Sequence, residues 1–465
     1  MLAQTIRVEC RSGCGFFSEV TATGRHKKHK IVIAAVLIVA SWITADVIAQ
    51  QKATTSKRIE ENANAHTHLG MIAAEANDLK EAERHFAAAA SLAPSDPATR
   101  NNYGAILMRL GRTADARMQF EASLELNPDQ PSALTNLAQI YFDSGQPDDL
   151  RMAQSLLERA GKNTSDPEIS RALVITCLKL AQVLMGKGDL RGAGRTLEGA
   201  VASGLNDANI YAALSEVYEA DGHFENAIPA MRLAIARDPK NEAYHFRYGL
   251  LLTDSHAPAA GIVRLQEALK QFPNSARLWL ALGIAQLTHG QNVEAENSFK
   301  QSLKLDAKLV PALAYLGLTY AERGQHEQAI DFYERALALN AQLAALHYLV
   351  ADTMLKTSTA DTTRAEKYLK RATELDPNLA AAYLSWGRLY VRANRYSEAA
   401  PLLERAVSLQ PDLVEAHYQL SRVLVKLKRP DEANRELAIF KELSEKQKSR
   451  NESREIVRRL ANVRF

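Results

Sequence analysis

The chain has 465 residues, a formal net charge of +3, 46% hydrophobic residues, only 6% aromatic residues and three cysteines. The ordinary hydrophobic and charged fractions exclude a disordered chain, and three cysteines exclude a disulfide scaffold or a zinc site with four cysteine ligands. The charge is uneven, because residues 1–30 carry net +4, residues 441–465 carry net +4, and the chain between them carries −5.

The first predicted element is a membrane-targeting segment. Residues 1–30 form a basic, cytoplasmic leader that ends in RHKKHK, and residues 31–49 form an apolar run without a charge up to Ala45. A basic leader before an apolar run keeps the N-terminus cytoplasmic and sends the following chain across a membrane. We expect either a signal peptide cleaved after Ala49 or an uncleaved single-pass anchor. The chain after it, starting with a linker at 50–62, is then periplasmic or secreted, or held outside the cytoplasm on the cell membrane.

A period of 34 residues organises the rest of the chain. Three pairs of prolines show it directly: Pro94 and Pro128, Pro239 and Pro273, Pro377 and Pro411. In each unit a small residue such as Gly317 is followed, usually twelve residues later, by a second such as Ala329. Apolar residues spaced three and four apart on both sides of a polar turn predict two antiparallel amphipathic helices per unit. The small residues mark where the two helices cross, and eleven units keep this register.

These units resemble the tetratricopeptide repeat family over about residues 63–443. The eighth unit carries most of the family pattern: Leu316, Gly317, Tyr320, Ala329, Tyr333 and Ala336. The resemblance implies an all-α fold, a right-handed α-solenoid superhelix of about eleven helix hairpins. We expect repeats 1–3 in residues 63–165, repeats 4–11 in 166–443, and a basic capping helix or tail in 444–465. The first helix of repeat 4 should begin at Asp166-Pro167 and exceed its counterparts by about six residues.

No motif for catalysis appears in the sequence. It contains no phosphate-binding loop, dinucleotide fingerprint, zinc-protease motif or nucleophile elbow. Four histidines occupy one position of the repeat, shared with the aromatic residues of other repeats: His66, His245, His347 and His417. We interpret that position as a packing slot, and we expect no enzymatic activity, no metal site and no cofactor.

The candidate binding residues follow from the resemblance, which implies that the first helices line a concave surface that binds extended peptides. Two asparagines could begin a ladder for a peptide backbone, or could simply be solvated: Asn102 and Asn136. Seven residues, called the apolar stretch below, hold inward positions in repeats 6–9: Phe246, Leu250, Leu280, Ile284, Leu287, Leu318 and Tyr348. Four cations, called the basic corner below, follow in repeats 10 and 11 beside Tyr418: Arg388, Arg392, Arg422 and Lys426.

The basic corner has two possible interpretations. It is either a solvated face neutralised by acidic side chains of second helices, or a site for carboxylates, phosphates or an acidic peptide end.

The favoured function is a protein-interaction scaffold of the cell envelope that binds an extended peptide or protein segment. If the segment 31–49 is uncleaved, the membrane is a second partner. The alternative is an assembly or export factor for polysaccharide or cell-wall components, although few exposed aromatic residues could stack on sugars. A nucleic-acid-binding helical repeat is disfavoured by the acidic body and the export segment, so we expect no nucleic acid partner.

Overall fold

The structure is a computed structural model, which describes residues 25–162, 164, 166–357 and 361–446, with side chains between residues 41 and 445 of these ranges. The chain divides into two compact units, residues 1–183 (unit 1) and 184–465 (unit 2). Across the described ranges, every regular element is a helix. In chain order the helices are α1 (Arg25–Glu75), α2 (Leu79–Leu92), α3 (Pro97–Arg109), α4 (Thr113–Leu126), α5 (Pro131–Ser144), α6 (Pro147–Gly161), α7 (Pro167–Gly186), α8 (Leu190–Ala202), α9 (Ala208–Ala220), α10 (Phe224–Arg237), α11 (Glu242–Asp254), α12 (Pro258–Gln271), α13 (Ala276–Thr288), α14 (Asn292–Leu305), α15 (Val310–Glu322), α16 (His326–Leu339), α17 (Ala344–Met354), α18 (Thr362–Leu375), α19 (Ala380–Arg392), α20 (Tyr396–Leu409), α21 (Val414–Lys426) and α22 (Pro430–Lys446).

Consecutive helices pair as hairpins in both units. In unit 1, α1 packs on α2, α3 on α4 and α5 on α6, and in unit 2 the same pairing runs from α9 with α10 to α21 with α22. Most second helices also pack on the first helix of the next hairpin, as α14 does on α15. The predicted all-α solenoid of helix hairpins is therefore confirmed. The predicted capping helix lies mostly beyond Lys446, outside the described residues.

The small residues of the 34-residue period allow the two helices of a hairpin to touch. A Cβ atom at Gly317 would lie 2.6 Å from the ring of Tyr333, and one at Gly283 would lie 2.4 Å from the ring of Phe299. Real Cβ atoms do not approach other heavy atoms so closely, so an alanine there would force the helices apart. The second small residue of repeat 8, Ala329, is completely buried at the same crossing.

The turns fall where the sequence places proline, glycine or asparagine. Second helices end just before a proline: α4 ends at Leu126, two residues before Pro128. Within a hairpin, the turn uses one residue with positive φ, which is usually glycine, as at Gly324 with φ +75°. Asn394 fills the same place in repeat 10 with φ +58°, because asparagine tolerates the left-handed region better than most residues. This turn orients the residues that follow α19.

The histidine position of the repeat is a packing slot with a hydrogen bond. In four slot residues a ring nitrogen lies near the carbonyl oxygen of the residue six positions earlier, in the turn between repeats. His66 differs, because its Nδ1 lies 2.9 Å from Nδ1 of His85. The distances are 2.9 Å for His245, 3.2 Å for Trp279, 3.0 Å for His347 and 2.9 Å for His417. Since a carbonyl oxygen only accepts, the histidine Nε2 donates as the indole does. These residues tie each first helix to the turn before it.

The predicted targeting segment and the predicted linker lie in one long helix. α1 has 51 residues and includes 31–49 and 50–62; the side chains before residue 41, and all of residues 1–24, lie outside the described part. Four apolar side chains at the end of the targeting segment are more than half exposed: Trp42, Ile43, Val47 and Ile48. The described end of this segment therefore does not pack as a core helix, and residues 50–62 continue it as an exposed helix.

The first helix of repeat 4 is extended, as predicted. α7 has 20 residues, whereas α9 in the next repeat has 13. Of the helices that the structure describes with side chains, α7 alone is long and apolar enough to cross a membrane, and 44% of that stretch is buried. Leu173, Cys177 and Leu180 are among its buried residues, as in a core helix of the stack.

Candidate functional site

In unit 2, successive first helices lie closer to one another than successive second helices do. Successive first helices contact one another, α11 with α13, α13 with α15 and α19 with α21, more extensively than successive second helices do. In a curved stack the more closely spaced layer lies on the inner side. The first helices therefore line the concave side of unit 2, and the inward positions assigned from the sequence belong to this side.

The basic corner surrounds a cavity on unit 2. The cavity has a volume of about 320 Å³ and lies between the C-terminal halves of α19 and α21. Its lining comprises Arg388, Val391, Arg392, Asn394, Tyr396, Gln419, Arg422, Val423 and Lys426. The structure thus brings together all four cations of the basic corner, as the spacing of one repeat between the two pairs predicts.

Local contacts hold two of these cations in place. Nη1 of Arg392 donates to the carbonyl oxygen of Leu355, 2.5 Å away in the preceding repeat. The guanidinium of Arg422 lies 5.6 Å from the ring centre of Tyr418, which stabilises a cation without neutralising it. Tyr418 itself packs against Phe440 of α22. These contacts orient the positive groups without themselves neutralising the charges.

Carboxylates do not neutralise the basic corner in the described part of the chain. None of its four cations lies within ion-pairing distance of a described Asp or Glu, although ion pairs are common elsewhere. Glu398 pairs at 2.5 Å with Arg395, and Glu432 at 2.5 Å with Arg429. The hydrogen bond from Arg395 lowers the pKa of the Glu398 carboxyl, and the same pairing raises the pKa of Arg395. These two carboxylates of the second helices α20 and α22 are thus engaged by other arginines.

This arrangement suits an anionic ligand. Arginine presents a planar fork of donors that matches carboxylate and phosphate oxygens, and three arginines converge here. Gln419 is almost buried in the cavity wall, and its amide donates to Glu415 at 2.6 Å. Val391 and Val423 add apolar surface to the lining. The cavity can hold a carboxylate or phosphate with an adjacent apolar group.

Three polar lining residues were missed by sequence reasoning: Asn394, Tyr396 and Gln419. Asn394 and Tyr396 follow Arg392 directly, and the positive φ of Asn394 carries the turn back toward the cavity. The hydroxyl of Tyr396 donates to the Asn394 side chain at 2.7 Å. The missing glycine in the turn of repeat 10 was the available signal, because most other repeats of unit 2 place a glycine there.

The prediction that the apolar stretch forms an open surface is wrong for most of its residues. Five of its members expose only 2–6% of their area: Leu280, Ile284, Leu287, Leu318 and Tyr348. They belong to a continuous core cluster that runs from Leu280 to Ala433. Phe246 and Leu250 are half-buried. Of these first helices, α15 is buried from Val310 to Tyr320.

One asparagine of the predicted ladder, Asn136, has a hydrogen-bond partner in the neighbouring repeat. Nδ2 of Asn136 donates to Oδ1 of Asn101 at 3.0 Å, so the hydrogen bond between repeats involves Asn101 and not Asn102. Asn101 is buried, whereas Asn102 and Asn136 are half-buried. This contact gives the Asn136 amide a structural partner within unit 1.

Reactive and metal-binding groups are sparse in the described residues. No group of three or more His, Cys, Asp or Glu side chains there could hold a metal ion. Cys177 is completely buried, and this burial raises the pKa of its thiol to about 12. A thiol with such a pKa is protonated at neutral pH and is a poor nucleophile.

Comparisons with known proteins agree with the repeat pattern. Tetratricopeptide repeat family models match residues 44–97, 107–174, 178–242, 249–309, 310–343 and 390–439. The chain is 25% identical over 150 residues to the TPR repeat-containing protein YpiA of Bacillus subtilis, and 28% identical over 144 residues to cellulose synthase operon protein C of Escherichia coli K12. These matches cover 32% and 28% of the chain but only 35% and 12% of the two relatives.

Two solved structures illustrate the similarity in fold. Yeast Tom70 is 17% identical, with a TM-score of 0.43, and the match covers 87% of this chain and 96% of that chain. The PilF protein of Pseudomonas aeruginosa is 20% identical, with a TM-score of 0.39, and the match covers 48% and 98%.

Proposed function

The chain belongs to the tetratricopeptide repeat family, and we propose that it is a non-enzymatic scaffold that binds an acidic segment of a protein partner at the basic corner of unit 2. Helix hairpins of this kind are suited to protein–protein interaction, because stacked repeats present an extended surface. The repeats occupy most of the chain, and the basic corner is a positively charged site on their surface.

One observation carries the proposal: four cations surround a cavity of about 320 Å³, and no described carboxylate pairs with them. Like charges one helical turn apart destabilise a helix by a few tenths of a kcal/mol, so this arrangement does not serve the stability of α19 or α21. A carboxylate or phosphate ligand would remove the repulsion and gain charge-assisted hydrogen bonds. A partner with an acidic segment or chain end supplies that ligand.

The proposed location is the extracytoplasmic side of the cell envelope. The support is the basic leader before the apolar run at 31–49, together with the exposed apolar side chains at 42–48 in α1. An uncleaved segment would anchor the chain in the membrane, and cleavage after Ala49 would release it. A phosphatase fusion after residue 60 tests this location, because the reporter is active only outside the cytoplasm; an inactive, stably expressed fusion contradicts it.

A second candidate function is assembly or export of polysaccharide or cell-wall components. The similarity to a protein named for a cellulose synthase operon supports it, although the match covers only 12% of that protein. Sugar sites use exposed aromatic faces, and the basic cavity contains a single aromatic residue, Tyr396. Saturable binding of cello-oligosaccharides that survives loss of the basic corner would favour this candidate over peptide binding.

Binding of a fluorescein-labelled hexa-aspartate peptide tests the proposed site. The full chain should bind this peptide more tightly at 50 mM than at 300 mM NaCl, because exposed charges are screened over about 8 Å at physiological ionic strength. The double variant Arg388→Ala/Arg422→Ala should bind at least tenfold more weakly at low salt. A hexa-lysine peptide should not bind at this site.

The matched control is Arg232→Ala/Arg335→Ala, which removes the same charge from the exposed surfaces of two second helices, α10 and α16. This control should bind hexa-aspartate like the unmodified chain. Equal weakening in both double variants would show that only net charge matters. Unchanged binding by the Arg388→Ala/Arg422→Ala chain would reject the basic corner as the site.

A further inference from the structure

The slot histidine of repeat 1 lacks the partner that ties the other slot histidines to a turn. The residue six positions before His66 is Glu60, which lies inside α1. A carbonyl oxygen inside an α-helix accepts from the N–H four residues later, here that of Asn64. The Glu60 carbonyl is therefore already engaged, and the His66 ring turns to a different partner.

His66 faces a second histidine across the first hairpin. Nδ1 of His66 in α1 lies 2.9 Å from Nδ1 of His85 in α2, and the ring centres are 5.2 Å apart. In repeat 11 the corresponding place is held by the carboxylate of Glu436, 2.6 Å from Nδ1 of His417. Repeat 1 thus has two imidazole nitrogens where repeat 11 has an imidazole and a carboxylate.

A carboxylate beside His85 favours the tautomer with a lone pair on Nδ1. Oε1 of Glu81, one turn earlier in α2, lies 3.2 Å from Nε2 of His85. Since a carboxylate oxygen only accepts, it stabilises the N–H of the neutral ring at Nε2 and leaves Nδ1 without a proton. Arg84 donates to the same oxygen of Glu81 at 2.6 Å, which holds the carboxylate in place. Histidines that bind metals commonly have a carboxylate at the other ring nitrogen in this way.

We infer that His66 and His85 bind a divalent transition-metal ion, with Zn²⁺ as the type, through their two Nδ1 atoms. Imidazole nitrogen is a preferred ligand of Zn²⁺, Ni²⁺ and Cu²⁺. The ion takes the place of the proton between the two Nδ1 atoms, and the N–H of His66 is then on Nε2. Both side chains are half-buried, so water reaches the ion and fills its remaining positions. This site departs from the expectation of no metal site that the sequence alone suggests.

The distance between the two nitrogens requires a small opening of the pair. Zn²⁺ lies about 2.0–2.1 Å from imidazole nitrogen in tetrahedral geometry, which places two such ligands about 3.3 Å apart. The observed 2.9 Å therefore widens by about 0.4 Å, and the rings turn until both lone pairs meet at the ion. The outer torsion of histidine is broad, and the His66 ring is not tied to a turn. The site can open without moving either helix.

The bound ion joins the two helices of the first hairpin. In the described residues this hairpin has a neighbouring hairpin on one side, formed by α3 and α4. A terminal repeat has fewer contacts than an internal one and opens more readily. α1 also contains the predicted targeting segment at 31–49. The ion therefore strengthens the link between that helix and the stack of repeats.

Hydrogen–deuterium exchange of the purified full chain with and without ZnCl2 tests this inference. At saturating ZnCl2, exchange of the amides in residues 60–75 and 79–92 should slow at least tenfold, because opening of the hairpin then requires loss of the ion. His85→Gln places in α2 the residue that repeat 2 carries at the same position, Gln119. This variant should exchange like the unmodified chain without metal, and ZnCl2 should give it no protection.

Matched variants separate the two ligands from other histidines and from loss of folding. His68→Gln removes an exposed histidine of α1 and should keep the full protection. Glu81→Gln retains both ligands and should need at least tenfold more ZnCl2 for half-maximal protection. MgCl2, whose ion prefers oxygen ligands, should not protect the hairpin.

Three results would overturn the metal site. The first is the absence of protection by ZnCl2 in the unmodified chain, and the second is protection that persists in His85→Gln. The third is an equal ZnCl2 requirement for Glu81→Gln and the unmodified chain, which keeps the test decisive if His85→Gln does not fold. None of these results bears on the basic corner, because the two sites lie in different units and the assay contains no peptide.

Discussion

Arg392 and Leu355 lie in successive repeats of unit 2, and Nη1 of Arg392 donates to the main-chain carbonyl oxygen of Leu355 at 2.5 Å. The carbonyl is at the C-terminal end of α17, where the last carbonyl groups of a helix lack partners within the helix. The contact therefore caps one first helix with a cation from the next. It also directs a full positive charge to the basic corner.

Replacing Arg392 should destabilise unit 2 modestly. Arg392→Ala removes a hydrogen bond from a charged group, which would be worth up to about 3 kcal/mol when buried. Since the side chain is exposed, we expect the free energy of unfolding to fall by about 1 kcal/mol in urea denaturation. Arg277→Ala, on the exposed surface of α13, should change it by less than about 0.5 kcal/mol. Equal effects of the two variants would show that the Leu355 contact has no structural role.

Enlarging the helix crossing of repeat 8 should be costly. Ala329 is completely buried, and its carbonyl oxygen lies 3.2 Å from the place of a Cβ on Gly317. Ala329→Leu inserts three carbon atoms into this contact and should cost about 1–3 kcal/mol. Thermal unfolding followed by circular dichroism measures the loss. Ala338→Leu, an exposed site on the same helix, should leave the melting temperature nearly unchanged; a similar fall there would contradict the crossing.

The buried thiol of unit 1 should be inert until α7 unfolds. Burial raises the pKa of Cys177 to about 12, so little thiolate forms at pH 8, and the thiol is also inaccessible. In the Cys10→Ser/Cys14→Ser background, iodoacetamide at pH 8 should modify Cys177 only in urea concentrations that unfold unit 1. Mass spectrometry measures the modified fraction. Rapid modification without urea would contradict the burial of this residue.

His347 should make the stability of unit 2 depend on pH. Burial lowers the pKa of His347 below its ordinary value, and no described group accepts a hydrogen bond from Nδ1. The neutral ring is therefore favoured in the folded state. As pH falls below about 6.5, the unfolded chain takes up the proton first, so this stabilisation is full above that pH and is lost as pH falls through the lowered pKa.

A variant isolates the contribution of this histidine. His347→Tyr places in the slot a residue that other repeats already carry there, as at Tyr383. Its melting temperature should fall less between pH 7.5 and pH 5.5 than that of the unmodified chain. His289→Gln, at the exposed end of α13, should retain the full fall. Parallel pH profiles for the unmodified chain and His347→Tyr would contradict the assignment.

The sequence predicts the hairpins well because their determinants are local. Gly317 and Tyr333 are 16 residues apart and touch in the structure, and the same spacing recurs at Gly70, Gly104, Gly249, Gly283 and Gly387. The basic corner is predicted for a similar reason, since Arg388 and Arg422 are one repeat apart and successive first helices are neighbours. Regular spacing translates directly into proximity in a solenoid.

The remaining features depend on contacts that the repeat pattern does not encode. Leu280 and Leu318 hold inward positions by register, but both are buried in the continuous core cluster of unit 2. Asn101, which is not at the ladder position of its repeat, is the residue that accepts from Asn136. The polar wall of the basic cavity depends on the left-handed turn at Asn394. Periodicity gives the position of a residue in its repeat, and tertiary packing decides its exposure.

Crosslinking in cells from the wall of the basic cavity tests whether an acidic protein segment binds at the basic corner. Tyr396 is half-exposed and lines the cavity, so its replacement by the photoreactive p-benzoylphenylalanine exchanges one aromatic side chain for another. The account predicts a discrete crosslinked protein whose contact peptide is rich in Asp or Glu, and whose yield falls at least tenfold in the Arg388→Ala/Arg422→Ala background. The same probe at Val293, exposed on the second helix α14, should not capture this protein. A product from Tyr396 that persists without the two arginines, or that forms equally from Val293, would contradict the account.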